Sequence, residues 1–104
     1  MPIYARLNHK GDIAARGDCS VHGHRITLAR PMDEVEEVSI VVTDLLDGAT
    51  VSSREIESHG ATVTEVSYGS DTWLMTITGE GRAKLKVTLS DNRVWSGVLA
   101  MVEV

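Results

Sequence analysis

The residues able to do chemistry are few and scattered. Cys19-Ser20-Val21-His22-Gly23-His24 gathers a thiol and two imidazoles in a short run, the ligand types that zinc and copper prefer. A structural zinc site needs a full tetrahedral set, usually as paired knuckles, and the other two histidines, His9 and His59, stand at no recognised spacing. The expectation is surface histidines in a loose segment, with no metal. Arg16-Gly17-Asp18 spells the integrin tripeptide, a match too short to separate from chance. Asp44 and Asp47 put hard oxygens of the kind calcium takes into one turn, without a full ligand set. Asp33, Glu34, Glu36 and Glu37 form a carboxylate run that reads as a solvated face. A glycosidase pair would also need a cleft that so small a sandwich rarely supplies. Gly79-Glu80-Gly81 lacks the third glycine and helix of a dinucleotide fingerprint, and no nucleophile elbow, phosphate loop or zincin motif occurs. These residues predict neither catalysis nor a cofactor.

Composition narrows the partners. The chain has 104 residues, 42% hydrophobic and 24% charged, which suits one globular domain and excludes a disordered tail or a helical membrane span. Its formal net charge of -5, with Lys and Arg scattered singly, removes the electrostatic attraction that nucleic acid and anionic lipid require. Neither nucleic acid nor membrane is expected as a partner; protein, sugar and small molecules remain. The single cysteine, Cys19, forbids an intrachain disulfide and fits production in a cytoplasm. Met1 to Lys10 lacks the basic start and apolar run of a signal peptide, so Sec-dependent export is not expected.

The elements that must position these groups are strands. Apolar residues recur with a period of two after residue 24, whereas helical spacing is nearly absent. Trp73, Met75 and Ile77 share one face of Thr72 to Thr78, and Leu85, Val87 and Leu89 share one face of Ala83 to Leu89, with Lys84, Lys86 and Thr88 outward. The short Gly79-Glu80-Gly81 link predicts a hairpin between them. Glu37 to Thr43, Ala49 to Ser53, Ala61 to Val66, Val94 to Val104 and a short Arg25 to Leu28 make about seven strands in all. Pro31 and the acidic run after it predict at most one helical turn within Met32 to Val38. The expected fold is all-β, an antiparallel sandwich over residues 25 to 104, with an open barrel as the alternative. Residues 1 to 24 alternate little beyond Ile3, Tyr4 and Leu7, and are expected to form an N-terminal arm or a loose hairpin.

The last strand is apolar on both sides: Val94, Ser96, Val98, Ala100, Val102 and Val104 on one, Trp95, Leu99 and Met101 on the other. One side must then be covered by the arm or by another subunit, unless the strand is buried on both faces within its own domain. Ile3, Tyr4 and Leu7 of the arm, with Trp95, Leu99 and Met101, are accordingly the expected partner-binding residues.

The run from Pro31 through Asp44 and Asp47-Gly48 to Ser53 resembles the opening of small tailed-bacteriophage virion proteins, the fiber-tail adaptors. That family typically reads Pro-Asp-Glu-Val, an alternating strand, an Asp-rich break, then Gly-Asp-Thr-Ile and Ser. The resemblance continues through Thr76-Ile77-Thr78-Gly79, Leu85-Lys86-Val87-Thr88 and Asp91-Asn92-Arg93, and so covers residues 31 to 104. It implies an immunoglobulin-like sandwich that joins tail, neck or head components in many copies or as a homo-oligomer, made in the host cytoplasm and located in the virion. A capsid decoration protein is the alternative within the same class. A carbohydrate-binding or adhesin module is the alternative outside it, and would have only Tyr4, Tyr68, Trp73 and Trp95 for an aromatic platform.

Overall fold

Alternating side chains give strands here because every second residue can leave water together, and two such faces must meet to stay dry. The computed structural model describes residues 2–31 and 33–104. Among them run β1 (Ile3–Leu7), β2 (Ile13–Arg16), β3 (Ser20–His22), β4 (Arg25–Arg30), β5 (Val35–Val41), the single turn α1 (Thr43–Leu46), β6 (Val51–His59), β7 (Thr62–Gly69), β8 (Thr72–Thr78), β9 (Gly81–Leu89) and β10 (Val94–Glu103). They form two five-stranded sheets, ordered β2-β1-β5-β8-β7 and β3-β4-β10-β9-β6. The chain is thus all-β in two layers, with ten strands instead of the seven expected.

Within the segment expected to be an arm or loose hairpin, β1 and β2 pair as an antiparallel hairpin, and the strands of the segment are taken into the two sheets. β1 lies between β2 and β5 in the first sheet, and β3 borders β4 in the second. Ile3 and Leu7 are fully buried and Ala5 nearly so. The physical reason is alternation over a short span: Ile3-Ala5-Leu7 faces inward, and the core it meets belongs to strands far along the chain.

Two pairings are parallel, β1 with β5 and β4 with β10, where only antiparallel ones were expected. Both join strands from distant parts of the sequence, which local turn signals cannot announce. The strand over Thr72–Thr78 matches its expected bounds, whereas the helical turn lies at Thr43–Leu46 and the stretch from Val35 is strand. Of the turn expected over Met32 to Val38, Met32 lies outside the described residues.

The expected hairpin between β8 and β9 is also absent. β8 pairs with β5 and β7, and β9 with β10 and β6, so Gly79-Glu80-Gly81 carries the chain from one sheet to the other. A second crossover, β6 to β7 at Gly60, passes directly against it. A Cβ on Gly81 would stand 2.6 Å from both His59 O and Ala61 N, and one on Gly60 would stand 2.8 Å from Glu80 O. Two backbones in contact leave no room for side chains, which is why both corners are glycine.

The core between the sheets is continuous. Val38, Ile40, Trp73, Met75 and Ile77 come from the first sheet, and Ile26, Leu28, Leu85, Val87, Leu89, Leu99 and Met101 from the second. A buried pair ties the layers at one end: Arg30 of β4 donates from Nε to Glu36 Oε2 of β5 at 3.0 Å. Asp18 and Glu34 bring further carboxylate oxygens to 3.5 and 3.8 Å of Arg30. At the other end Arg93 donates to the carbonyls of Leu45 and Leu46, the last residues of α1, and so satisfies groups that a helix end leaves open.

Candidate functional site

The outward faces of the two sheets differ in kind, and each follows from register. On the first sheet the outward rows run Arg16-Tyr4-Ser39-Leu74-Ser67, then Ala14-Arg6-Val41-Thr72-Gly69, then Glu37-Thr76-Thr64, then Val35-Thr78-Thr62. Only Arg6, Arg16 and Glu37 are charged, and Arg6 is paired with Asp44 at 3.2 Å. Tyr4 is 56% and Val35 62% exposed on this surface, and Val66 is exposed at the bulge of β7. The middle of this face, Tyr4, Ser39, Val41, Leu74 and Thr76, carries no charge, in keeping with the charge depletion of protein interface cores.

On the second sheet the outward rows are charged. His22-Arg25-Val98-Lys84-Glu57 stand side by side in one, and Ser20-Thr27-Ala100-Arg82-His59 in the next. β10 supplies small residues between longer ones, so a groove of about 840 Å³ runs over Ser96, Gly97 and Val98, with Arg25 and His24 on one side and Lys84 and Lys86 on the other. Arg25 also borders a second, more open hollow of about 520 Å³ over Ala100 and Val102, beside Arg82. Lys86 is engaged by Glu55 at 3.6 Å, and Glu57 by His59 at 3.3 Å. Among the described residues, Arg25, Arg82 and Lys84 have no carboxylate within salt-bridge distance. They are cations held at a concave, partly apolar surface without neutralisation.

The edges of both sheets are blunted. β2 and β3 are short, and β6 and β7 each carry a register shift, between Val51 and Ser53 and between Glu65 and Ser67. Short and bulged edges resist addition of a further strand, which favours docking on faces. The edge where β6 meets β7 is further pinned: Arg54 donates from Nε to Glu65 Oε1 at 2.6 Å and from Nη2 to Oε2 at 3.3 Å, with its guanidinium 4.5 Å above the Tyr68 ring. The hydrogen bond from Arg54 holds the Glu65 carboxyl below its usual range, while burial pushes the Tyr68 phenol up. The Trp73 indole N–H adds slightly to the effect on Glu65, yet makes no hydrogen bond of regular geometry.

The expected partner-binding residues are mostly interior. Ile3, Leu7 and Leu99 are fully buried, Met101 is 1% and Trp95 4% exposed, and only Tyr4 faces solvent. In the last strand Trp95, Leu99 and Met101 point into the core, and Val94, Val98 and Val102 point out. Trp95 is fixed there by its Nε1–H, which donates to Gly11 O at 2.8 Å, and by Gly97, where any side chain would meet the indole.

The thiol and imidazoles do not converge. Cys19 and Val21 pack against the core, His22 lines the groove, and the Nδ1 of His24 lies 3.0 Å from Ser96 O. No group of three or more potential ligands stands together among the described residues, the Asp44-Asp47 turn included. Burial pushes the Cys19 thiol above its usual value, outweighing the opposing pull of Arg30. Gly17 of the integrin-like tripeptide lies against Ile3, and Asp18 faces Arg30.

The charged groove was missed because Arg25 and Lys84 meet only through the parallel pairing of β4 with β10. The outward alternation of Lys84 and Lys86 was the one legible signal.

No family model and no curated protein matches the chain. Among solved structures, the solution structure of amebosin is similar at 16% identity, covering 98% of this chain and 100% of that chain with a TM-score of 0.37. A likeness that low carries no argument.

Proposed function

We propose that the chain is a non-enzymatic structural protein of a tailed bacteriophage, an adaptor that joins tail, neck or head components by protein contacts. In this proposal it is made in the host cytoplasm and incorporated in many copies into the virion. The observation that supports docking is the charge-poor outer face of the first sheet, centred on Tyr4, Ser39, Val41, Leu74 and Thr76. Cores of protein interfaces are depleted in charge and enriched in aromatic residues, and such a face costs little to dehydrate. The phage assignment rests on the resemblance of residues 31 to 104 to the fiber-tail adaptors, and the immunoglobulin-like kinship belongs to the same proposal. A capsid decoration role would use the same face at another location. An adhesin is less well supported, since both tryptophans are interior and Tyr68 is covered by Arg54, leaving Tyr4 alone exposed.

Two measurements test this. Mass spectrometry of purified particles should find the chain at many copies per virion; its absence from particles removes the proposal. Sedimentation velocity should show self-association of the wild type that Leu74→Arg abolishes while the circular-dichroism spectrum stays unchanged. Association that survives Leu74→Arg would place the contact elsewhere.

A further inference from the structure

We infer that the groove over β10 binds an extended acidic peptide segment of a partner protein, with carboxylates at alternate positions. Arg25 and Lys84 both stand opposite Val98, one from each side, so their Cα atoms lie roughly 10 Å apart across the strand. A carboxylate seated above Val98 is therefore reached by long cationic side chains from two directions. Arg82 stands opposite Ala100, two residues further along β10, which is about 7 Å. An extended peptide turns every second side chain the same way with that same spacing, so acidic residues at i and i+2 meet the Arg25-Lys84 pair and then Arg82.

The floor suits a backbone. Ser96, Val98 and Ala100 are small, and Arg25 borders both the groove and the second hollow over Ala100. The remaining charges select against longer polyanions. Glu55 and Glu57 line the β6 side of the groove, and the chain as a whole carries -5, which weakens the long-range attraction that a nucleic acid backbone requires. A segment with two or three carboxylates needs only Arg25, Lys84 and Arg82, the cations of this sheet face that have no carboxylate within salt-bridge distance among the described residues.

This goes beyond the docking proposal and stands on a different face, so each is tested without the other. The full chain is titrated against a short dye-labelled peptide in which Glu alternates with Val, followed by fluorescence anisotropy. The Gln-for-Glu peptide and a short heparin fragment serve as comparison ligands. Saturable binding of the acidic peptide alone is the expected result, with amide shifts in the NMR spectrum confined to Ser96, Val98, Ala100 and their neighbours. An exposed charge pair contributes up to about fivefold in affinity, so Arg25→Ala combined with Lys84→Ala should weaken binding by about tenfold or more. Arg16→Ala, an unpaired cation on the first sheet, should leave it unchanged. The inference is overturned by any of three results: no saturable binding, equal loss with Arg16→Ala, or tighter binding of heparin than of the peptide. If the double variant is misfolded by circular dichroism, the location of the wild-type amide shifts decides, and shifts on Tyr4, Ser39 and Leu74 would overturn it.

Discussion

Gly81 is hemmed in by backbone on all the nearest sides. Its φ of 132° belongs to backbone that side-chain-bearing residues rarely adopt, and its missing Cβ is where the 59–61 corner passes. Gly81→Ala meets both obstacles at once, and should cost at least about 3 kcal/mol, read as a fall in the urea midpoint without loss of exposed-surface slope. A midpoint within error of wild type would mean the crossing corners are not in contact. Nothing in Gly-Glu-Gly separates such a crossover from a hairpin, because both need positive φ, and the obstacle at Gly81 is supplied by residues some twenty positions earlier. Glu65 gives a pH-dependent counterpart. Its carboxyl is held below the ordinary 4.5 by the hydrogen bond from Arg54, so the pair stabilises the fold above that pH and ceases to do so as pH falls through the lowered value. Glu65→Gln should therefore melt slightly below wild type at neutral pH, by less than about 1 kcal/mol for so open a pair, and the gap should close in acid. A gap that persists below pH 3 or so would assign the effect to packing and not to charge.

The strands after residue 24 were readable one by one, since alternation such as Trp73-Met75-Ile77 or Leu85-Val87-Leu89 survives in any context that buries one face. Their partners were not readable. The pairings of β1 with β5 and of β4 with β10 join segments with no shared turn, and β2 and β3 are too short for alternation to stand out. For this reason the place of β1 as an inner strand, between β2 and β5, is not legible in the sequence. Its three inward residues, Ile3, Ala5 and Leu7, are all buried. Full burial of Ile or Leu is worth roughly 1.5–3 kcal/mol each, against a total stability on the order of 5–15 kcal/mol for a domain. Deleting residues 1 to 24 would also uncover one side of β5 and of β4. The truncated chain should be insoluble, or show no cooperative thermal transition by circular dichroism. A cooperative transition near that of the full chain would mean that β1 to β3 are dispensable after all.

Taken whole, the molecule is an elongated two-layer body, 40 × 22 × 21 Å, whose two outward sheet faces should answer differently to salt. In the proposed docking, the neutral side would hold a partner by dehydration of Tyr4, Leu74 and their threonine neighbours, a term that added salt leaves intact or strengthens. The grooved side holds an acidic segment through Arg25, Arg82 and Lys84, exposed charges whose reach shrinks with the screening length, from about 10 Å at 0.1 M to about 3 Å at 1 M. Raising sodium chloride from about 0.05 to about 0.5 M should thus weaken the anisotropy titration of the Glu-Val peptide several-fold while self-association by sedimentation holds or tightens. The same preparation of one protein supplies both readings, so a folding change cannot mimic the result. Parallel weakening of both would mean that the self-contact also runs through the charged sheet, and would overturn the division of labour between the two faces.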